Sequence, residues 1–242
     1  MKAIILNSGI GKRMGDLTAN KPKCLVTLKD NETILASQLK TLKNTGIKKI
    51  LMTTGPFEEL IREEIRRKFP DLDITFVYNS KYEKTNYIYS LALCKEQIDD
   101  DILLMHGDLV FDQNVLENLL NDEHENAVMI NYNAALTEKD FKGRISNYLV
   151  KEIGIEVFGD DSYMLMPLYK FSKEAFDKWM SKIEEFILEG KTSVYAENAL
   201  NMILDNISLF GKSYDKELCC EIDNPEDLVR VRNILKNKSD NN

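Results

Sequence analysis

Through the first 132 residues, short apolar runs alternate with segments whose apolar positions recur every three to four residues. Ala3-Ile4-Ile5-Leu6 is a continuous apolar run, as a strand covered on both faces requires, so Lys2–Leu6 reads as the first strand. Thr33–Asn44 places Ile34, Leu35, Leu39 and Leu42 on one helical face and is stopped by Gly46. Lys49–Thr53 is a second strand, Phe57–Lys68 a charged helix and Asp73–Tyr78 a third strand. Tyr87–Lys95 has a helical pattern. Asp101–Met105 is a buried-type strand that runs into His106-Gly107-Asp108, and Ala127–Tyr132 is strand-like. Strands interleaved with helices predict an α/β fold: a mostly parallel twisted sheet flanked by helices.

From Asn133 to Tyr169 the strict alternation is lost. Short runs at Ser146–Lys151 and Tyr163–Tyr169 predict a small mixed or antiparallel patch. Two helices follow, Ser172–Leu188 with Ser172 as its cap and Ser193–Leu204, then a strand at Leu218–Ile222 and a helix at Pro225–Leu235. The polar stretch 237–242 is expected to be a disordered tail behind one domain spanning 1–236.

Composition narrows the class. Forty-three per cent apolar residues in 242 suffice for a core, and a formal charge of −8 argues against a nucleic-acid partner. No apolar run approaches the roughly 18–20 residues that span a membrane, and the N-terminal one is too short for a secretory signal. The expected location is therefore the cytoplasm, with the chain a monomer or homodimer. Cys24, Cys94, Cys219 and Cys220 form no C-x-x-C pair and read as reduced thiols; with His106 and His124 the only histidines, a zinc site is not expected.

Against this acidic background, Leu6-Asn7-Ser8-Gly9-Ile10-Gly11-Lys12-Arg13-Met14 and Lys21-Pro22-Lys23 put glycines and cations on one loop after the first strand. Glycines let backbone N–H groups approach a ligand closely, and Arg and Lys add fixed positive charge, so the loop suits a polyphosphate. It is not a Walker loop, which needs G-x-x-x-x-G-K-[ST]. Nor is it a dinucleotide fingerprint, because Met14 replaces the third glycine and the second strand ends without a carboxylate.

The pattern G-x-G-x-R-M followed by K-P-K resembles the opening of the nucleotidyltransferases that join a nucleoside triphosphate to a phosphorylated sugar or small alcohol; Asn7 and Ser8 stand where that family usually has two alanines. The resemblance implies a nucleotide-binding half over about 1–132 and an acceptor-binding half over about 133–236. It implies Arg13 on the triphosphate, Lys23 between the α-phosphate and the acceptor, and nucleotide contacts from Asn7, Ser8, Gly9, Gly11, Lys12, Thr54 and Gly55. Asp108, at the end of an apolar strand, and Asp223, in the closing D-x-P-E-D-L segment (Asp223–Leu228), would together hold Mg²⁺. Each Asp has a plainer reading as a turn or helix cap.

Tyr87-Ile88-Tyr89-Ser90-Leu91 after Asn86 gives N-x-I-Y-S-L, which resembles cytidylyltransferases acting on phosphocholine and on small phosphonates such as 2-aminoethylphosphonate. Asn86 suits a pyrimidine edge or ribose and equally an N-cap; Ser90 faces the base or lies buried in its helix. Tyr195 and Glu197 match the region that meets a cationic acceptor group, whereas Lys142 and Arg144 would suit an anionic one. Trp179, among Phe176, Ile183 and Phe186, reads as core. The expected reaction is Mg²⁺-dependent transfer from CTP to a small phosphorylated or phosphonate acceptor, releasing pyrophosphate, in the service of surface glycans. Alternatives are a sugar-1-phosphate uridylyl- or thymidylyltransferase and a catalytically silent nucleotide-binding module. A glycosyltransferase would want D-x-D where the chain has His106-Gly107-Asp108.

Overall fold

The structure is a computed structural model that describes residues 1–240, with side chains described to residue 238. Four strands form its parallel block: β1 (Lys2–Asn7), β2 (Lys49–Thr54), β3 (Asp73–Tyr78) and β4 (Ile102–His106). They lie in the order β3-β2-β1-β4, and Leu6 pairs with His106, so the carboxyl ends of β1 and β4 emerge side by side. Ala3, Ile4 and Ile5 are wholly buried, as the unbroken apolar run required. Helix α1 (Ile34–Asn44) is capped by Thr33, whose hydroxyl accepts from the Ala36 N–H at 3.1 Å. Together with α2 (Glu58–Lys68) it covers one sheet face. On the other face lies α3 (Tyr87–Ala92).

Past β4 the chain makes β5 (Leu109–Phe111) and α4 (Gln113–Leu120), then β6 (Ala127–Asn131). A hairpin follows, β7 (Lys142–Ser146) and β8 (Leu149–Gly154), and then the long strand β9 (Ser162–Phe171). Strand β9 runs antiparallel between β4 and β6 and also pairs with β7. Helices α5 (Lys173–Leu188) and α6 (Ala196–Asn201), strands β10 (Phe210–Ser213) and β11 (Cys219–Glu221), and α7 (Pro225–Asp240) complete the chain. The full sheet order is β3-β2-β1-β4-β9-β6-β10-β8-β7. Among the described residues no helix is long and apolar enough to cross a membrane.

Several sequence expectations need correction. The run expected as one strand at Ser146–Lys151 is split by a turn, because Asn147 and Tyr148 both take left-handed backbone conformations between β7 and β8. The expected helix Ser193–Leu204 is shorter, with α6 starting at Ala196. The tail expected to be disordered continues α7 to Asp240, and its Lys238 ammonium is tied to Asp112; residues 241–242 lie outside the described residues. Strands β5 and β10 and helix α4 were not anticipated.

A third apolar cluster does most to position the site. Met14, Val26 and Leu28 from the glycine loop pack against Leu218 and Ile222 around β11 and against Leu228 and Val231 of α7. Burying such a side chain stabilises by about 1.5–3 kcal/mol, so the cluster fastens the N-terminal loop to a segment some 200 residues away. Strands β5 and β11 pair antiparallel, Leu109 opposite Glu221, and the Ile222 N–H donates to the Asp108 carbonyl at 3.0 Å. That small ladder delivers Asp223 to the end of β4.

Candidate active site

Lys23 is the hub. Its Nζ lies 2.6 Å from Asp108 Oδ2 and 3.1 Å from Asp223 Oδ1, joining residues 85 and 200 positions away. Arg13 reaches the same Asp223 oxygen through Nη2 at 2.7 Å. The Lys23, Asp108 and Asp223 side chains are 13, 20 and 10% exposed, whereas Arg13 is 66% exposed. Burial opposes the charge on Lys23, but Asp108 and Asp223 outweigh it and raise its pKa above the ordinary lysine value. The Asp108 carboxyl is likewise held below its ordinary range, since Lys23 and His106 outweigh its burial. Lys23 and Asp108 are therefore both charged at neutral pH.

Two adjoining concavities meet at Asp108. One, an open cleft of about 290 Å³, is lined by Asn7, Gly9, Gly11, Lys12, Arg13 and Lys23 among others. The second, about 190 Å³, is lined by Ser8, Asn86, Ser90, Tyr82 and His106 among others, and both include Leu6, Gly9 and Asp108. Gly11 has φ +73°, a conformation that favours glycine. Gly107 permits a closer approach still: a Cβ there would sit 1.7 Å from Asn7 Oδ1. Among the described residues, seven buried side-chain polar atoms lack a partner, and four converge here: Asn7 Nδ2, Ser8 Oγ, His106 Nε2 and Asp108 Oδ1. A buried polar atom without a partner costs about 1–3 kcal/mol, so four in one place mark a surface built to be completed by a ligand.

Other expected residues stand further back. Thr54 is wholly buried and its hydroxyl is bonded to Glu58. Gly55 supports the Ser8 turn from behind, since a Cβ there would lie 2.5 Å from the Ser8 carbonyl oxygen. Asn86 is the cap of α3, its Oδ1 accepting from the Tyr87 N–H at 2.7 Å, and it also lines the smaller pocket. Ser90 is buried and accepts from Asn79 Nδ2 at 2.9 Å. Glu197 does not face either cleft: it is 1% exposed, and its oxygens accept hydrogen bonds from the hydroxyls of Tyr87 and, at 3.0 Å, Tyr169. Tyr195 is partly exposed and packs against Tyr87 and Phe141. Tyr87, whose ring edge meets His106 at 4.7 Å, is thus the wall that separates Glu197 from the smaller pocket. Trp179 is core, as expected, and its indole N–H donates to the Ala196 carbonyl.

Two residues at the site were not anticipated. His106 Nδ1 lies 2.9 Å from Glu221 Oε1. Burial disfavours the imidazolium, but Glu221 outweighs it and lifts the His106 pKa to about 9. Burial, then the nearby Asp108 charge, pushes the Glu221 carboxyl up to about 7. The signal was in the sequence: His106 and Glu221 each stand two positions before an Asp, at the end of a strand. His106, Asp108 and Glu221 bring potential ligand atoms within 4.8 Å of one another.

The MobA-like NTP transferase domain matches residues 3–189 of the chain. The chain is 24% identical to the CTP:phosphoglutamine cytidylyltransferase of Campylobacter jejuni, over 94% of its own length and 98% of the relative's. It is 25% identical to the choline-phosphate cytidylyltransferase of Streptococcus pneumoniae, over 99 and 100%. Its fold superposes on the solved CTP:phosphocholine cytidylyltransferase from Streptococcus pneumoniae with a TM-score of 0.84, at 24% identity, covering 97% of this chain and 98% of that one. The glycine loop, the carboxyl ends of β1 and β4 and the matched segment coincide, and the chain belongs to the MobA-like NTP transferase domain family, as a nucleotidyltransferase.

Proposed function

We propose that this protein is a Mg²⁺-dependent cytidylyltransferase that couples CTP to a small phosphorylated or phosphonate acceptor and releases pyrophosphate. The observation that carries the reading is the single Lys23 ammonium held between Asp108 and Asp223, with Arg13 beside it. In the reaction an acceptor oxygen forms a bond to the α-phosphorus while the bond from that phosphorus to the bridging oxygen of pyrophosphate breaks. The acceptor oxygen is already ionised at neutral pH, so no general base is needed; what is needed is to hold two anions together and neutralise developing charge.

Lys23 would turn from the carboxylates to the α-phosphate and acceptor. Arg13, mostly exposed, would leave Asp223 for the triphosphate and follow the departing pyrophosphate with its planar fork. Gly9, Gly11 and Lys12 would cradle the phosphates, with Asn7 and Ser8 offering their unpartnered polar atoms beside them. Ser8, Asn86 and Ser90 would line the nucleoside pocket, whose modest volume suits a pyrimidine, with Thr54 and Gly55 acting through the Ser8 turn. The donor set suits a hard divalent cation: Asp108 and Asp223 offer carboxylate oxygens, and Asp108 Oδ1 is buried without a partner. Bound there, Mg²⁺ would supply charge neutralisation at the phosphates.

The acceptor's far end is assigned to the Tyr87–Tyr195 wall, with Glu197 acting through Tyr87. Phosphocholine, aminoethylphosphonate and phosphorylated amino-acid derivatives are the candidate acceptors, and the names of the relatives support CTP. A cytoplasmic role in decorating surface glycans belongs to the same proposal. The test is pyrophosphate release with each of the four nucleoside triphosphates against a panel of these acceptors and sugar 1-phosphates. Turnover with CTP and one small acceptor is expected; turnover confined to UTP or dTTP with a sugar 1-phosphate overturns the reading.

A further inference from the structure

The two carboxylates lie just past the ends of two strands, and each has an ionisable residue two positions earlier. His106 precedes Asp108 at the end of β4, and Glu221 precedes Asp223 at the end of β11. The earlier pair is bonded, Nδ1 to Oε1 at 2.9 Å, with both side chains about nine-tenths buried (11 and 12% exposed). We infer that the His106–Glu221 pair is a positioning couple, which sets the separation and aim of Asp108 and Asp223 while Lys23 is engaged elsewhere. The inference rests on the metal-holding role proposed above for those two carboxylates.

The β5–β11 ladder and the bond from Ile222 N–H to the Asp108 carbonyl fix the two backbones. Gln38 Nε2 donates to the His106 and Leu109 carbonyls at 2.8 Å each and ties down the turn around Gly107. Only side chains can then hold Asp108 and Asp223 at a set distance. Lys23 does so here, but in the proposed reaction its ammonium must turn to phosphate. Once it leaves, two buried carboxylates repel each other, and among the described residues the side-chain tie lying directly behind them is His106–Glu221.

That tie also has a cost, which makes an incidental role a poor explanation. Glu221 adds a third carboxylate near Asp108, and its side chain is itself about nine-tenths buried. Buried ion pairs are commonly replaceable by apolar residues without loss of stability. Where outer groups orient metal ligands, however, removing them weakens metal affinity by about 10–100-fold. The same order of effect is expected here.

The experiment measures binding rather than turnover. Mn²⁺, as a spectroscopic stand-in for Mg²⁺, is titrated into the protein with and without CTP, and free Mn²⁺ is read by electron paramagnetic resonance. His106→Leu and Glu221→Ala should each weaken Mn²⁺ by about 10–100-fold, and the double variant should be no weaker than either single one, because either removal breaks the same tie. His106→Asn, which keeps an N–H near the Nδ1 position, should recover to within about threefold of the starting protein. Should His106→Leu fail to fold, Glu221→Gln and His106→Asn carry the comparison, with melting temperatures recorded for each. Normal Mn²⁺ affinity in folded His106→Leu and Glu221→Ala, alongside loss in Asp108→Asn, overturns the positioning role and leaves the metal reading standing. Normal affinity in Asp108→Asn itself overturns the metal reading on which the inference rests.

Discussion

Replacing Lys23 by Met keeps the length of the side chain and removes its charge, and the consequences can be worked from the geometry. Asp108 Oδ2 loses its 2.6 Å partner, and its other oxygen already has none. Asp223 keeps Arg13 at 2.7 Å. Removing one member of a buried ion pair costs about 3–5 kcal/mol. The lower end applies, because the Asp108 side chain retains 20% exposure and can take up a proton. About 3 kcal/mol corresponds to a fall in Tm of roughly 6–12 °C in a chain of this size. The same substitution should reduce kcat by on the order of 10²–10³, as expected on losing a donor at the transition state. The distinguishing effect is the response to Mg²⁺. On the proposed metal role, a divalent cation would compete with Lys23 for Asp108 in the parent, and in Lys23→Met it would fill the place of the missing charge. Saturating Mg²⁺ should therefore raise the Tm of the variant by more than it raises that of the parent, read by differential scanning calorimetry. A Tm unchanged by the substitution, or an Mg²⁺ increment no larger in the variant, refutes the reasoning that one cation holds two carboxylates in readiness.

Other perturbations reach other parts of the site. Gly107→Ala would set a methyl 1.7 Å from Asn7 Oδ1 and 2.8 Å from the Leu6 carbonyl oxygen, forcing β1 and β4 apart at their ends; a loss of about 1–3 kcal/mol in urea unfolding is expected, with turnover falling further than stability. Tyr87→Phe leaves Glu197 with Tyr169 as its remaining hydroxyl donor among the described residues, and should cost about 1–3 kcal/mol while raising KM for the acceptor more than for the nucleotide. An unchanged acceptor KM would remove this wall from the acceptor site. Far from the site, Asp122 accepts from His124 and Lys212, which outweigh its burial and hold its pKa down at about 2. Its stabilisation is present above the ordinary value of 3.8 and is lost as pH falls through about 2, so the parent should lose on the order of 1–2 kcal/mol more than Asp122→Asn over that window. Parallel acid-denaturation curves for the two proteins would contradict that.

The parallel block was legible because buried strands and one-sided helices leave different periods in the sequence, and β1 to β4 lie within a residue or two of where those periods put them. Strands β5 and β10 are only 3 and 4 residues long, too short to leave a period. The β7–β8 hairpin turns at Asn147-Tyr148 without a glycine, and the apolar run across it read as one strand. At the site, the glycine loop and Lys23 announced themselves by local composition. The meeting of Asp108 with Asp223 did not, since it depends on the packing of Met14 and Ile222 and on a two-strand ladder formed over a long separation. His106 and Glu221 were passed over because each looks unremarkable alone; only the matching H-x-D and E-x-D spacings, read together, point to a pair. Glu197 was placed one layer too far forward, since a sequence pattern cannot show that two tyrosine hydroxyls already claim its oxygens.

The most direct test of the central claim is a ³¹P NMR spectrum of the protein incubated with Mg²⁺, CTP and phosphorylated acceptors in turn, beside the Asp108→Asn variant. New resonances of a CDP- or CMP-linked product together with free pyrophosphate are expected for at least one small acceptor, as is their absence in the variant. Product that forms equally well with Asp108→Asn, or that forms only from UTP or dTTP and a sugar 1-phosphate, would contradict the claim.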